Sequence, residues 1–145
     1  MTVHPDVVLA RLVHLGHVLV QLERLRAMTP AERSADPLVV LAAERALHVA
    51  AEAIFDIGHH LLAGRGLRVP STYREVVPAL AVAGALPSAL AERLGGMAGM
   101  RNILVHDYVA VDTDQVWRAI DEHTGDLRAV HAAFAALPEI ARAAT

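Results

Sequence analysis

The 145-residue sequence predicts an all-α fold, a helical bundle of four main helices plus one short one. Three observations carry that expectation. Apolar residues recur at steps of three and four over long stretches, the signature of one buried helix face. Hydrophobic residues make up 54% of the chain but aromatic residues only 3%, so much of the apolar content is alanine and leucine, both good helix formers. No strand signal survives, since Val109-Ala110-Val111 is short and sits between Tyr108 and a helix cap.

The first helix is expected from about Asp6 to Met28, with Val8, Leu12, Leu15, Leu19, Leu22 and Leu25 as its apolar stripe and Asp6 after Pro5 as the start signal. Thr29-Pro30 and Asp36-Pro37 bracket a short polar connector. A second helix follows from about Leu38 to Leu62 and ends at Gly64 and Gly66. Leu67 to Pro70 reads as extended linker. Ser71 is placed to cap a shorter third helix over Thr72 to Ala83, which Pro78 should kink or split and Gly84 should stop. The fourth helix starts at Leu86-Pro87-Ser88, carries Leu90, Leu94, Met97, Ile103, Leu104 and Val105, and contains Gly95, Gly96 and Gly99. Glycines inside a helix cost about 1 kcal/mol each relative to alanine, so they suggest a close backbone approach or a bound phosphate. Asp112 caps the last long helix from Thr113, with Gln115 placed for a capping box, and Pro138 breaks its tail.

Composition removes several function classes. There is no cysteine, hence no disulfide framework, thiolate metal site or thiol nucleophile. All basic residues are arginine and the net charge is −3, unlike a strongly basic nucleic-acid coat protein, so any RNA contact must be local. No glycine-rich nucleotide loop or nucleophile elbow is present, and no cofactor is expected. The N-terminus lacks the layout of a secretory signal, and no stretch offers about 20 continuous apolar residues. One domain spanning 1–145, no membrane association and a cytoplasmic location are the expectation.

One segment carries chemistry: Arg101-Asn102-Ile103-Leu104-Val105-His106-Asp107-Tyr108. On a helix of about 3.6 residues per turn, Arg101 and Tyr108 nearly superpose in azimuth, while Asn102 and His106 share the neighbouring face. Arg101 offers a planar, permanently charged fork that matches phosphate oxygens. Histidine ionises at about pH 6.5 in model peptides, so His106 suits proton transfer at neutral pH. Asn102 can orient the imidazole or bond a ribose, and Tyr108 adds a hydroxyl. Together these groups suffice for RNA cleavage without metal. The competing use is a surface arginine and a histidine bonded at a helix terminus. The motif supplies one histidine, so a two-fold dimer with facing segments would supply the second.

The chain resembles the HepT-like toxins of the HEPN superfamily from about Val8 to Leu127. The strongest stretches are ERALHVAAEAIFDIGHHLLAGRGLRVPSTYREVV and LPSALAERLGGMAGMRNILVHDYVAVD. The resemblance implies that the R-x4-H-x-Y motif, here Arg101, His106 and Tyr108 with Asn102 as the polar neighbour, is the active site. It implies a homodimer with a composite cleft and a metal-independent endoribonuclease acting on RNA. It also implies an MntA-like nucleotidyltransferase antitoxin that transfers AMP to Tyr108. A second reading is a catalytically weak helical partner that mainly holds the nucleotidyltransferase.

Asp56 and His60 lie four apart near the end of the second helix. They could be a metal pair, a structural Asp–His hydrogen bond, or a supporting wall of the cleft. Arg45 and Glu52, on that same side, suit an ion pair with another helix. His4, His14, His17, His48, His123 and His131 read as surface or satisfied core histidines. Arg65, Arg68 and Arg74 form a small basic patch, either solvated or steering phosphate. Trp117, with Val116 and Ile120, should pack the last helix onto the bundle.

Overall fold

A computed structural model describes residues 2–95 and 112–144. They form seven helices: α1 (Pro5–Arg26), α2 (Pro30–Ala35), α3 (Pro37–Gly64), α4 (Tyr73–Val82), α5 (Ser88–Arg93), α6 (Thr113–Ala135) and α7 (Pro138–Ala141). No strand occurs among the described residues, so the all-α expectation holds. The long helices α1, α3 and α6 pack on one another, α4 lies on α3, and α5 links α4 to α6.

The stripe expected on α1 is the buried one: Val8, Leu12, Leu15, Leu19, Leu22 and Leu25 all face inward. They join Leu47, Ile54, Phe55 and Leu61 of α3 and Val116, Ile120, Leu127, Val130 and Phe134 of α6 in one apolar cluster. By length and composition alone α1 also passes as a membrane span, but its apolar stripe is spent on this core.

Several boundaries differ from the sequence expectation. The connector after α1 is a helix, α2. Thr29 Oγ1 accepts from Glu32 N at 3.2 Å while the Glu32 carboxylate accepts from Thr29 N at 2.9 Å, a reciprocal capping box that six residues of polar sequence conceal. That bond to the Thr29 backbone holds the Glu32 carboxyl below its ordinary value. The third expected helix, α4, is preceded by Thr72 rather than Ser71, with no side-chain cap bond. Pro78 does not split it: it lies on the exposed side, where a missing backbone donor costs least. The helix beginning at Ser88 stops at Arg93 with Leu94 as C-cap, so Gly95 falls outside it. Asp112 caps α6 as expected, accepting from Asp114 N at 3.0 Å, and α6 runs through Gly125 without interruption.

Two glycines of α3 permit close approach. A Cβ on Gly58 would stand 2.9 Å from Val76 Cγ1 and from Leu80 Cδ1, so α4 lies directly on bare backbone there. A Cβ on Gly64 would stand 2.8 Å from the Val3 backbone nitrogen, which is how the N-terminal segment crosses the end of α3.

Charged side chains tie the helix ends. The Arg33 guanidinium donates to Asp121 Oδ1 at 2.7 Å and Oδ2 at 3.1 Å, and to the terminal α1 carbonyls of Leu25 at 3.3 Å and Arg26 at 3.1 Å. It also lies 4.3 Å over the Trp117 ring, so Trp117 packs as expected but with a cation on its face. The Arg33 hydrogen bond holds the Asp121 carboxyl below its ordinary 3.8. Asp126 is also lowered: burial, the largest single influence, raises it, but Arg93 at 2.8 Å and His123 at 3.2 Å together outweigh burial. Replacing Arg33 by alanine should cost about 2 kcal/mol, chiefly the charge-assisted bonds to the carbonyls, because Asp121 is half exposed and screened. A carboxyl whose folded value is lowered stabilises fully above its unfolded value and loses that contribution as pH falls through the folded one. The Asp121 share of the Arg33→Ala deficit should therefore begin to shrink as the pH falls below about 4 and be gone only beneath the lowered folded value, checked by urea unfolding at neutral and acid pH.

Candidate functional site

Arg101, Asn102, His106 and Tyr108, the motif singled out from sequence, lie outside the described residues. The structure does place the second element of the expected site, the exposed side of α3.

Asp56 and His60 are not brought together. His60 Nε2 accepts from the His4 backbone N–H at 3.1 Å, with the two imidazoles 5.8 Å apart. This bond ties the N-terminal segment to α3. Asp56 instead lines a groove of about 320 Å³ between α1 and α3. Arg45 and Glu52 line the same groove, so the stripe expected on α3 exists, but Arg45 makes no ion pair with another helix among the described residues. Sequence reasoning left Arg11, His14 and His48 out of this group. The signal was present: Arg45, His48, Glu52 and Asp56 step by three, four and four, which puts them on one helix face. The His48 Nδ1 atom is buried with no hydrogen-bond partner, as is His59 Nε2.

A second, larger trough of about 780 Å³ continues from this groove along α1 and α3, sharing His14, Arg45 and Val49 with it. Its walls are mainly apolar, with Val18, Leu25 and Met28 from α1 and Ala42, Ala46 and Val49 from α3. Val13, Val20, Leu38 and Leu41 on these two helices are more than half exposed.

Three other candidates have structural uses. Arg65 is a tether: its guanidinium grips Glu139 through bonds of 2.6 and 3.2 Å and donates to the Ala83 carbonyl at 2.9 Å. It thus joins the end of α3 to α4 and α7, and is neither solvated nor available to steer phosphate. His131 Nε2 donates to the Leu12 carbonyl at 3.0 Å, beside Gly16, which leaves room for the ring. His123 pairs with Asp126 at 3.2 Å. No group of three or more His, Asp or Glu among the described residues could hold a metal ion.

The helical arrangement is that of a known class of structure. A tri-AMPylated Shewanella oneidensis HEPN toxin, solved in complex with an MNT antitoxin, superposes with a TM-score of 0.80 at 22% identity, covering 91% of this chain and 98% of that one. The cytosolic protein of unknown function YutE from Bacillus subtilis superposes equally well, with a TM-score of 0.80 at 21% identity over 91% of this chain and 88% of that one. In sequence, residues 15–133 match the family described as Ribonuclease HepT-like, and the chain belongs to that family. The mRNA nuclease HepT of Shewanella oneidensis is 33% identical over 75 residues, which span 52% of this chain and 56% of that relative's length.

Proposed function

We propose that this chain is the toxin of a toxin–antitoxin pair and acts as a metal-independent endoribonuclease. The observation that carries the reading is the complete R-x4-H-x-Y motif, Arg101, His106 and Tyr108, inside the span that matches the Ribonuclease HepT-like family. The name of the related mRNA nuclease supports it.

In this reading a base removes the ribose 2′-hydroxyl proton, and the 2′-oxygen attacks the adjacent phosphorus. The bond from phosphorus to the 5′-oxygen breaks, and an acid returns a proton to that oxygen. The products are a 2′,3′-cyclic phosphate and a 5′-hydroxyl end. His106 supplies proton transfer, Arg101 stabilises the charge on the phosphoryl oxygens, and Asn102 orients the imidazole or the ribose. One chain offers one such histidine, and a homodimer offers two across a shared cleft. The apolar trough between α1 and α3, together with the exposed Val13, Val20, Leu38 and Leu41 on the same two helices, suits burial against a second copy. Asp56 supports the cleft from α3, while His60 acts at one remove by holding the N-terminal segment. The partner is an MntA-like nucleotidyltransferase, supported by the antitoxin complex and AMP groups of the Shewanella toxin, and the site of action is the cytoplasm, supported by the description of YutE as cytosolic.

The purified chain should cleave single-stranded RNA in EDTA and leave cyclic phosphate ends, read by end-specific phosphatase treatment and sequencing. Activity that disappears on chelation and returns with a divalent ion would refute the metal-independent mechanism.

A further inference from the structure

The α3 stripe of Arg45, His48, Glu52 and Asp56 faces Arg11 and His14 of α1 across the smaller groove. Four other arginines are committed to ion pairs within the fold. Arg33 is held by Asp121, Arg65 by Glu139, Arg93 by Asp126 and Arg128 by Glu23. Arg11 and Arg45 make no hydrogen bond or ion pair among the described residues, although two carboxylates line the same groove. Two guanidiniums that make no hydrogen bond or ion pair among the described residues thus line one concavity together with the carboxylates of Glu52 and Asp56, so anion-binding donors and acceptors share one space. His48, in the groove wall, adds a buried ring nitrogen whose hydrogen-bonding capacity is unmet.

We propose that this groove binds the backbone of the single-stranded RNA substrate. Arg11 and Arg45 each hold a phosphate, and Asp56 accepts a hydrogen bond from a ribose 2′-hydroxyl. The proposal rests on the ribonuclease reading above and names where the substrate strand runs. An RNA strand alternates an anionic acceptor with a neutral hydroxyl donor, and the groove offers guanidinium donors and a carboxylate acceptor in the same space. A DNA strand would satisfy the arginines but leave Asp56 facing carbon. The adjoining apolar trough lacks such alternation and is suited to protein.

The test uses the full chain carrying His106→Ala, so that RNA is bound and not cut. Fluorescence anisotropy of a short labelled single-stranded RNA is followed across a salt series in EDTA, with DNA of the same sequence alongside. Arg11→Ala and Arg45→Ala should each weaken RNA binding about tenfold at low salt. Each should also flatten the slope of log affinity against log salt by roughly 0.7, the loss of one phosphate contact on a single strand. Arg11→Lys and Arg45→Lys should recover part of the affinity, and Asp56→Asn should narrow the preference for RNA over DNA. Unchanged affinity and slope in both arginine variants, with the parent still binding, overturns the groove assignment alone. Weakened binding that tracks conversion to a smaller species in sedimentation assigns these arginines to contact between copies and also overturns it. A parent that binds no RNA removes the ribonuclease reading along with the groove.

Discussion

Replacing His106 or Arg101 with alanine is expected to abolish RNA cleavage while leaving the far-ultraviolet helical signal and the unfolding midpoint unchanged. Removing a positioned proton-transfer group typically costs about 100- to 10,000-fold in rate. Removing a group that stabilises developing charge costs about 100- to 1,000-fold. Among the described residues the core draws on α1, α3, α4 and α6, and in the proposed reading Arg101 and His106 act on the phosphodiester rather than in the core, so the two effects should separate. A variant that loses activity and helicity together would instead place the motif in the framework of the fold. Initial rates on a defined RNA, measured beside thermal unfolding of the same samples, distinguish the cases.

The second large effect concerns control. Tyr108→Phe should retain part of the nuclease activity, because arginine and histidine remain, yet it should escape silencing by the partner nucleotidyltransferase. The transfer joins the tyrosine oxygen to the α-phosphorus of ATP and releases pyrophosphate. In the proposed reading, the new phosphodiester anion competes for the Arg101 guanidinium that substrate needs. The adenosine occupies space that an RNA base requires. Intact mass spectrometry after incubation with the nucleotidyltransferase and ATP should show adenylyl additions on the wild type and none on Tyr108→Phe. Equal mass gain on both would move the acceptor to another residue.

The fold was legible wherever burial imposed a period. The α1 stripe from Val8 to Leu25 could be read directly, because every third or fourth position had to be apolar to meet α3 and α6. The stop at Gly84 was legible because its backbone adopts φ of 76°, which glycine tolerates best. The six residues of α2 were not, since that helix buries none of its residues and rests on a capping box, a local exchange of hydrogen bonds without periodicity. The early end of α5 escaped for the opposite reason: apolar spacing continued past Leu94, but the helix closed there.

Side-chain partners were the hardest to foresee. Sequence shows that Arg65 is charged, but not that Glu139, 74 residues away, would grip it. The spacing of Asp56 and His60 put both on one face of α3, but spacing does not say what crosses that face. The N-terminal segment, drawn in over Gly64, takes His60, and α1 takes Asp56 into its groove. Arg45 was expected in an ion pair with another helix and makes none among the described residues, and with Glu52 it lines a groove beside Asp56, Arg11, His14 and His48. The motif itself, at 101–108, was legible as chemistry because its residue types and spacing suit a phosphodiester, and that part of the account rests on sequence and family membership.

The central claim is that this chain alone is a ribonuclease toxin whose activity resides in the motif. Inducible expression in bacterial cells tests it most directly, with growth and total RNA integrity followed together. Expression of the wild type should arrest growth with RNA cleavage, His106→Ala at the same protein level should not, and co-expression of the partner nucleotidyltransferase should relieve the arrest. Arrest of equal depth from wild type and His106→Ala, with RNA intact in both, would contradict the account.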